Sequence, residues 1–163
     1  MKAAIIFGSR SDKPVMKKAA EVLREFGVEF SAHILSAHRV PELLSGTLRR
    51  LEAEGVEVII AGAGLAAHLP GVIASQTLVP VVAVPIVSGS LGGLDALCSI
   101  VQMPAPIPVA AVGLDNAANA GYLACEILAL KYPEMKEKLA AFRARMKAGF
   151  EREYARNTEG EEL

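Results

Sequence analysis

From Val58 to Leu94 the chain carries no formal charge, and only His68 in that stretch can take up a proton near neutrality. A run this apolar has two physical outcomes, a membrane span or buried strands packed between helices. Gly62, Gly64, Pro70, Gly71, Pro80, Pro85, Gly89, Gly92 and Gly93 cut it into short pieces, whereas a spanning helix needs about 20 continuous apolar residues. Pieces of strand length with no polar alternation read as parallel strands covered on both faces. The run therefore predicts an α/β protein and argues against a membrane partner.

The rest of the chain supplies the matching helices. Lys2 to Phe7 is an apolar strand, and Gly8-Ser9-Arg10-Ser11-Asp12 is a turn with Asp12 as N-cap of a helix running to Phe26 and stopped by Gly27. Val28, Phe30, Ala32 and Ile34 alternate with polar residues, as in a strand near a sheet edge. A helix over 41–54 points Leu43, Leu44, Thr47, Leu48 and Leu51 inward. Strand three is expected over 56–61, a small-residue loop over 62–67 and a helix over 69–76. Strand four follows over 79–84, a helix over 91–101 and strand five over 108–112. The last two helices fall at 116–130, capped by Asp115 or Asn116, and 134–156. Repeated strand–helix units with short connections give a parallel sheet with helices on both faces, and ligands then bind beyond the carboxyl ends of the strands. The turns after strands one, two and three are expected to line one site.

Length and charge narrow the role. A chain of 163 residues, 52% apolar, builds one domain, assigned here to 1–156, with an acidic tail over 157–163 that is expected to be disordered. A net charge of −1 leaves no broad basic surface for nucleic acid. Cys98 and Cys125 lie in apolar stretches without C-x-x-C pairing or histidines at zinc spacing, so both are read as reduced core thiols of a cytoplasmic protein. Met1-Lys2 runs directly into a strand, so no signal peptide is expected. The segment Ala117 to Leu130 is small and apolar on more than one face, which suggests a helix-packed homo-oligomer or a wholly internal helix.

Three segments carry chemistry. Gly8-Ser9-Arg10-Ser11-Asp12 joins a buried strand to a helix start, where free N–H groups and the helix dipole favour a phosphate. Ser9 and Ser11 add hydroxyl donors, and Asp12 suits ribose hydroxyls; an ordinary capped turn has the same composition. Ser36-Ala37-His38-Arg39 offers a guanidinium for a phosphate and an imidazole for proton transfer, although alone it reads more readily as a surface turn, and only its meeting with the first turn at one sheet edge favours a site. Gly62-Ala63-Gly64-Leu65-Ala66-Ala67 matches G-x-G-x-x-A, but it follows strand three and no acidic residue ends the next strand, so a dinucleotide is not expected. Ala63, Gly64 and Leu65 instead allow close approach to a flat ligand, with His68 at the rim; helix–sheet packing is the plainer reading. No motif for a metal or a nucleoside triphosphate is present, and no cofactor is expected.

Together these segments resemble the PurE family: G-S-x-S-D after strand one, S-A-H-R after strand two and A-G-A-G-x-A-A-H-L-P-G after strand three. Ser99 to Pro104 and Asn116 to Ala120 resemble it as well, so the likeness spans nearly the whole chain in order. It implies a flavodoxin-like three-layer αβα sandwich with a parallel sheet, assembled as a homo-octamer with the C-terminal helix packing across subunits. Within the family one class moves a carboxylate within N5-carboxyaminoimidazole ribonucleotide, and the other carboxylates aminoimidazole ribonucleotide directly. The second class resembles S-A-H-K and A-G-R-S-N at these loops, so Arg39 and the A-A-H-L-P-G form make this chain similar to the mutase of purine biosynthesis.

The resemblance implies that Ser9, Ser11, Ser36 and Arg39 hold the phosphate end and Asp12 the ribose, with Ala37 also binding the substrate. It makes His38 the proton shuttle and puts His68 near the carboxylate, with Gly62 to Ala67 forming the closed pocket that retains carbon dioxide and Ala63, Gly64 and Leu65 binding the substrate. It also implies a transient partner, the synthetase that makes the carbamate. Leu65 departs from the pattern, which usually has Gly there, and its isobutyl group either narrows the pocket or faces away from it. A non-catalytic nucleotide- or flavin-binding module remains a competing reading, separated by His38, for which such a module has no use.

Overall fold

The computed structural model describes residues 1–158. Five strands, β1 (Lys2–Phe7), β2 (Glu29–Ile34), β3 (Val58–Gly64), β4 (Val81–Ile86) and β5 (Ala110–Ala111), form one parallel sheet in the order β2-β1-β3-β4-β5. The helices are α1 (Lys13–Glu25), α2 (Pro41–Ala53), α3 (Leu69–Ala74), α4 (Leu94–Val101), α5 (Ala117–Ala129) and α6 (Pro133–Thr158). Alternation along each strand sorts the core into two halves. Ala3, Ile5 and Phe7 face α1, α5 and α6, while Ala4 and Ile6 face α2, α3 and α4. This is the flavodoxin-like three-layer αβα sandwich, and its strand order reverses between β1 and β3, where loops on opposite faces diverge and open a crevice.

The uncharged stretch becomes β3 and β4, flanked by helices on both faces, with Ile59, Ile60, Ala61, Val82, Ala83 and Val84 buried. No helix among the described residues is long and apolar enough to cross a membrane. Both strands sit further along the chain than their composition suggests. Gly62, Ala63 and Gly64, expected as loop, pair in register with Val84, Pro85 and Ile86. Glycine belongs here because of what lies against it. A Cβ on Gly62 would run into the sulfur of Met16, and one on Gly64 would lie 2.9 Å from the Ile86 carbonyl oxygen. Close approach, not a turn, explains the G-A-G sequence.

Other expectations need correction. Asp12 does not cap α1 with its side chain; Ser9 caps a 3-10 turn over Arg10–Asp12, and the Asp12 carboxylate turns back to accept from the Ser9 N–H at 3.0 Å. Leu43 is 59% exposed, because Leu44, Thr47, Leu48 and Leu51 form the buried stripe and Leu43 lies a quarter turn from its centre. Ala32 and Ile34 stay exposed on β2, the edge strand. Helix α4 begins at Leu94 because Gly92 and Gly93 adopt positive φ. It turns Ala96 and Ile100 inward and leaves Cys98 exposed, contrary to the core thiol expected there. Cys125 is buried on α5, and burial pushes its thiol up to about 12.

Of the two candidate caps before α5, Asn116 accepts from the Asn119 N–H at 3.2 Å. Asp115 sits at φ 53, and its carboxylate accepts from the Val87 N–H at 2.9 Å, tying this loop to the one after β4. Helix α5 packs on α1 and against α6, where Phe26, Tyr122 and Phe142 form an aromatic cluster with centroids 5.1–5.9 Å apart. Glu57 fastens the α5–α6 corner to the sheet by accepting from the Tyr132 hydroxyl at 2.9 Å and Lys131 at 2.6 Å. Helix α6 reaches Thr158, two residues beyond its expected end, and the rest of the expected disordered tail, 159–163, lies outside the described residues.

Candidate active site

The carboxyl ends of β1, β2 and β3 open onto one cleft of about 470 Å³. Gly8, Ser9, Ser11 and Asp12 come from the turn after β1, and Ser36, Ala37, His38 and Arg39 from the turn after β2. Ala63, Gly64, Leu65 and Ala66 come from the end of β3, with Leu69 from the start of α3. The cleft lies at the strand-order reversal, where the fold leaves room for a ligand.

The β1 turn is preorganised. The Ser11 hydroxyl lies 2.8 Å from that of Ser9 and 3.2 Å from the Asp12 carboxylate. Asp12 is only 8% exposed, and burial raises its carboxyl above the usual value, with hydrogen bonds from Ser11 and the Ser9 N–H and the charge of Arg39 acting against that rise. Arg39 reaches across from the β2 turn and donates from Nη2 to the Gly8 carbonyl oxygen at 2.7 Å. Its guanidinium therefore stands beside the β1 turn and makes that end of the cleft cationic.

His38 and His68, thirty positions apart, meet at the cleft. His38 Nε2 lies 2.8 Å from His68 Nδ1, and the rings pack edge to face with centroids 4.9 Å apart. One nitrogen must donate and the other accept, so the contact holds one proton between the two rings. His68 is exposed at the residue preceding α3 and is not itself part of the cleft wall. His33, on β2, is half-buried and bonds Ser31 at 2.8 Å, remote in role from this pair.

Leu65 lies at the mouth of the cleft, 52% exposed, with φ 54. A left-handed backbone is the conformation glycine adopts at no steric cost and a leucine rarely does. One wall residue was missed from the sequence: Ser88, in the loop after β4. Its signal was available, since Val87-Ser88-Gly89-Ser90 is also a polar turn at a carboxyl strand end.

A crevice at the sheet switch point, bearing a cationic end and a paired imidazole, defines the class as a flavodoxin-like α/β protein with an enzyme-like site. The chain belongs to the AIR carboxylase family, whose model matches residues 2–149. It is 60% identical over 146 residues to the N5-carboxyaminoimidazole ribonucleotide mutase of Pyrococcus abyssi, covering 90% of this chain and 84% of that one. The mutase of Thermotoga maritima is 53% identical over 146 residues, covering 90% and 85%. That of Vibrio cholerae is 51% identical over 147 residues, covering 89% and 91%. The crystal structure of Treponema denticola PurE superposes with a TM-score of 0.85 at 27% identity, covering 98% of each chain.

Proposed function

We propose that this chain is an N5-carboxyaminoimidazole ribonucleotide mutase, an isomerase that moves a carboxylate from the exocyclic nitrogen of the substrate to ring carbon four. The single observation that carries the mechanism is the 2.8 Å contact between His38 and His68 at the cleft. Arg39, Ser9, Ser11, Ser36 and the Ala37 backbone hold the 5′-phosphate end. Asp12 accepts from the ribose hydroxyls, and Ala63, Gly64 and Leu65 line the base. His38 donates a proton to the exocyclic nitrogen as the carbon–nitrogen bond of the carbamate breaks, releasing carbon dioxide and leaving the neutral amine. Ring carbon four, enriched in electrons by that amine, attacks the trapped gas. His38 then removes the proton from carbon four, which restores the ring and returns the imidazole to its starting state. His68, outside the cleft wall, orients His38 from behind.

The family's description as a carboxylase and the relatives' names as mutases point to different substrates. Arg39 and the Ala66-Ala67-His68-Leu69-Pro70-Gly71 segment favour the mutase, since both depart from the S-A-H-K and A-G-R-S-N forms. Assembly as a homo-oligomer, an octamer by family likeness with the C-terminal helix crossing subunits, is supported by the exposure of Leu91 and Leu94 at the start of α4 and of Met146 and Phe150 on α6. Residues 1–156 act as one domain, working in the cytoplasm with a transient contact to the carbamate-producing synthetase.

His38→Asn separates catalysis from mere binding. The variant is expected to bind the carboxylated product as the parent does and to lose about a hundredfold or more in kcat. Unchanged turnover would contradict the assignment of His38.

A further inference from the structure

Ser88 is held at the cleft from two sides. On one side the Val87 N–H donates to the Asp115 carboxylate at 2.9 Å. On the other, a Cδ atom of Leu65 occupies the space beside Gly89, 2.6 Å from where a Cβ on that residue would stand. Gly89 itself has φ 69. The end of β3 makes room for the same loop, because a Cβ on Gly64 would lie 3.1 Å from the Ser88 Cβ. Half-buried between these supports, the Ser88 hydroxyl makes no hydrogen bond to any described residue. The other wall hydroxyls at the β1 end, Ser9 and Ser11, are already bonded to each other.

Strand order gives this hydroxyl a chemical address. The cationic end of the cleft is built at β1 and β2, where Arg39 meets the Gly8 carbonyl. Ser88 follows β4, on the opposite margin, with the small residues of β3 between. A nucleotide whose phosphate lies against Arg39 and whose ribose lies against Asp12 extends its base toward β3 and β4. We infer that Ser88 is a further substrate-contacting residue, its hydroxyl donating to the carboxylate or accepting from the amine of the base, and that Leu65 is a positioning residue that latches the Ser88 loop through Gly89. This rests on the reaction proposed above. It also explains the isobutyl group at Leu65, which closes over Gly89 at the cleft mouth instead of facing away.

The test is calorimetric titration of the intact protein, the parent against Ser88→Ala, with two ligands. Ribose 5-phosphate reports the phosphate and ribose end; 4-carboxy-5-aminoimidazole ribonucleotide reports the whole cleft. Ser88→Ala is expected to bind the carboxylated nucleotide about tenfold more weakly, the loss of one hydrogen bond to a charged group, and ribose 5-phosphate as the parent does. Leu65→Gly is expected to weaken the same ligand selectively, and the double variant to be little worse than Ser88→Ala alone, since both changes act through one hydroxyl. Unchanged affinity in Ser88→Ala, or an equal loss for both ligands, overturns the assignment of Ser88. Additive losses in the double variant overturn the latch. Failure of the proposed reaction is read separately: a parent that binds the carboxylated nucleotide but does not form it from the carbamate contradicts the reaction and leaves the Ser88 comparison intact.

Discussion

His38 Nε2 and His68 Nδ1 stand 2.8 Å apart, joining the turn after β2 to the residue preceding α3. Between two imidazoles such a bond requires one donor and one acceptor. His68 thus fixes the ring orientation of His38 and couples the tautomers of the two rings. Replacing His68 by Ala is expected to lower kcat about tenfold with little change in KM, and His68→Gln, whose amide can still bond the His38 ring, to recover part of that loss. Steady-state kinetics of the parent and the two variants checks this.

Arg39 donates to the Gly8 carbonyl at 2.7 Å, which places its charge over the β1 turn before any ligand arrives. Arg39→Met keeps the aliphatic stem and removes the charge. KM is expected to rise by about tenfold or more while kcat falls less, if Arg39 holds the phosphate in the way proposed. A fall confined to kcat, read in steady-state kinetics, would place Arg39 in the chemistry instead.

Asp12 is buried, and desolvation is the largest influence on it, raising its carboxyl above the ordinary value despite bonds from Ser11 and Ser9. A raised folded value means the folded state holds that proton more tightly than the unfolded chain. Its favourable contribution is complete below the unfolded value near 3.8 and is lost as pH rises through the folded one. At neutral pH the ionised carboxylate therefore opposes folding. Asp12→Asn, whose amide oxygen can still accept from the Ser9 N–H, is expected to melt at or above the parent's temperature at pH 7. The gap should shrink as pH falls toward 4, while affinity for ribose 5-phosphate drops. Thermal unfolding at the two pH values checks the sign, and a gap that widens on acidification would contradict it.

The sheet is legible in the sequence because its physics is written in composition. A charge-free stretch punctuated by Gly and Pro has to be buried, and helix signals on either side dictate a parallel sheet with two covered faces. The alignment of the strands is less legible. In sequence Gly62 and Gly64 read as loop, yet both are strand residues whose missing Cβ admits Met16 and the Ile86 backbone. Such a reason lives in the partner across space. The same holds for Cys98, whose apolar neighbours in sequence lie on the opposite face of α4.

At the site, the turns after β1, β2 and β3 are legible from the rule that ligands meet the carboxyl ends of parallel strands. That they share one cleft agrees with that rule. What the chain order hides is contact at long separation: His38 with His68, Arg39 with Gly8, Leu65 with Gly89. Leu65 is instructive because its departure from glycine is visible in sequence. Its φ of 54 and its place over Gly89 are not, and these turn an anomaly into a structural relationship.

The most direct measurement follows formation of the carbon-carboxylated nucleotide at low bicarbonate, starting either from freshly made N5-carboxyaminoimidazole ribonucleotide or from aminoimidazole ribonucleotide. Rapid turnover of the carbamate is expected, with the second substrate active only at very high bicarbonate. Turnover of aminoimidazole ribonucleotide at modest carbon dioxide, with the carbamate used no faster, would contradict it and make the chain a direct carboxylase.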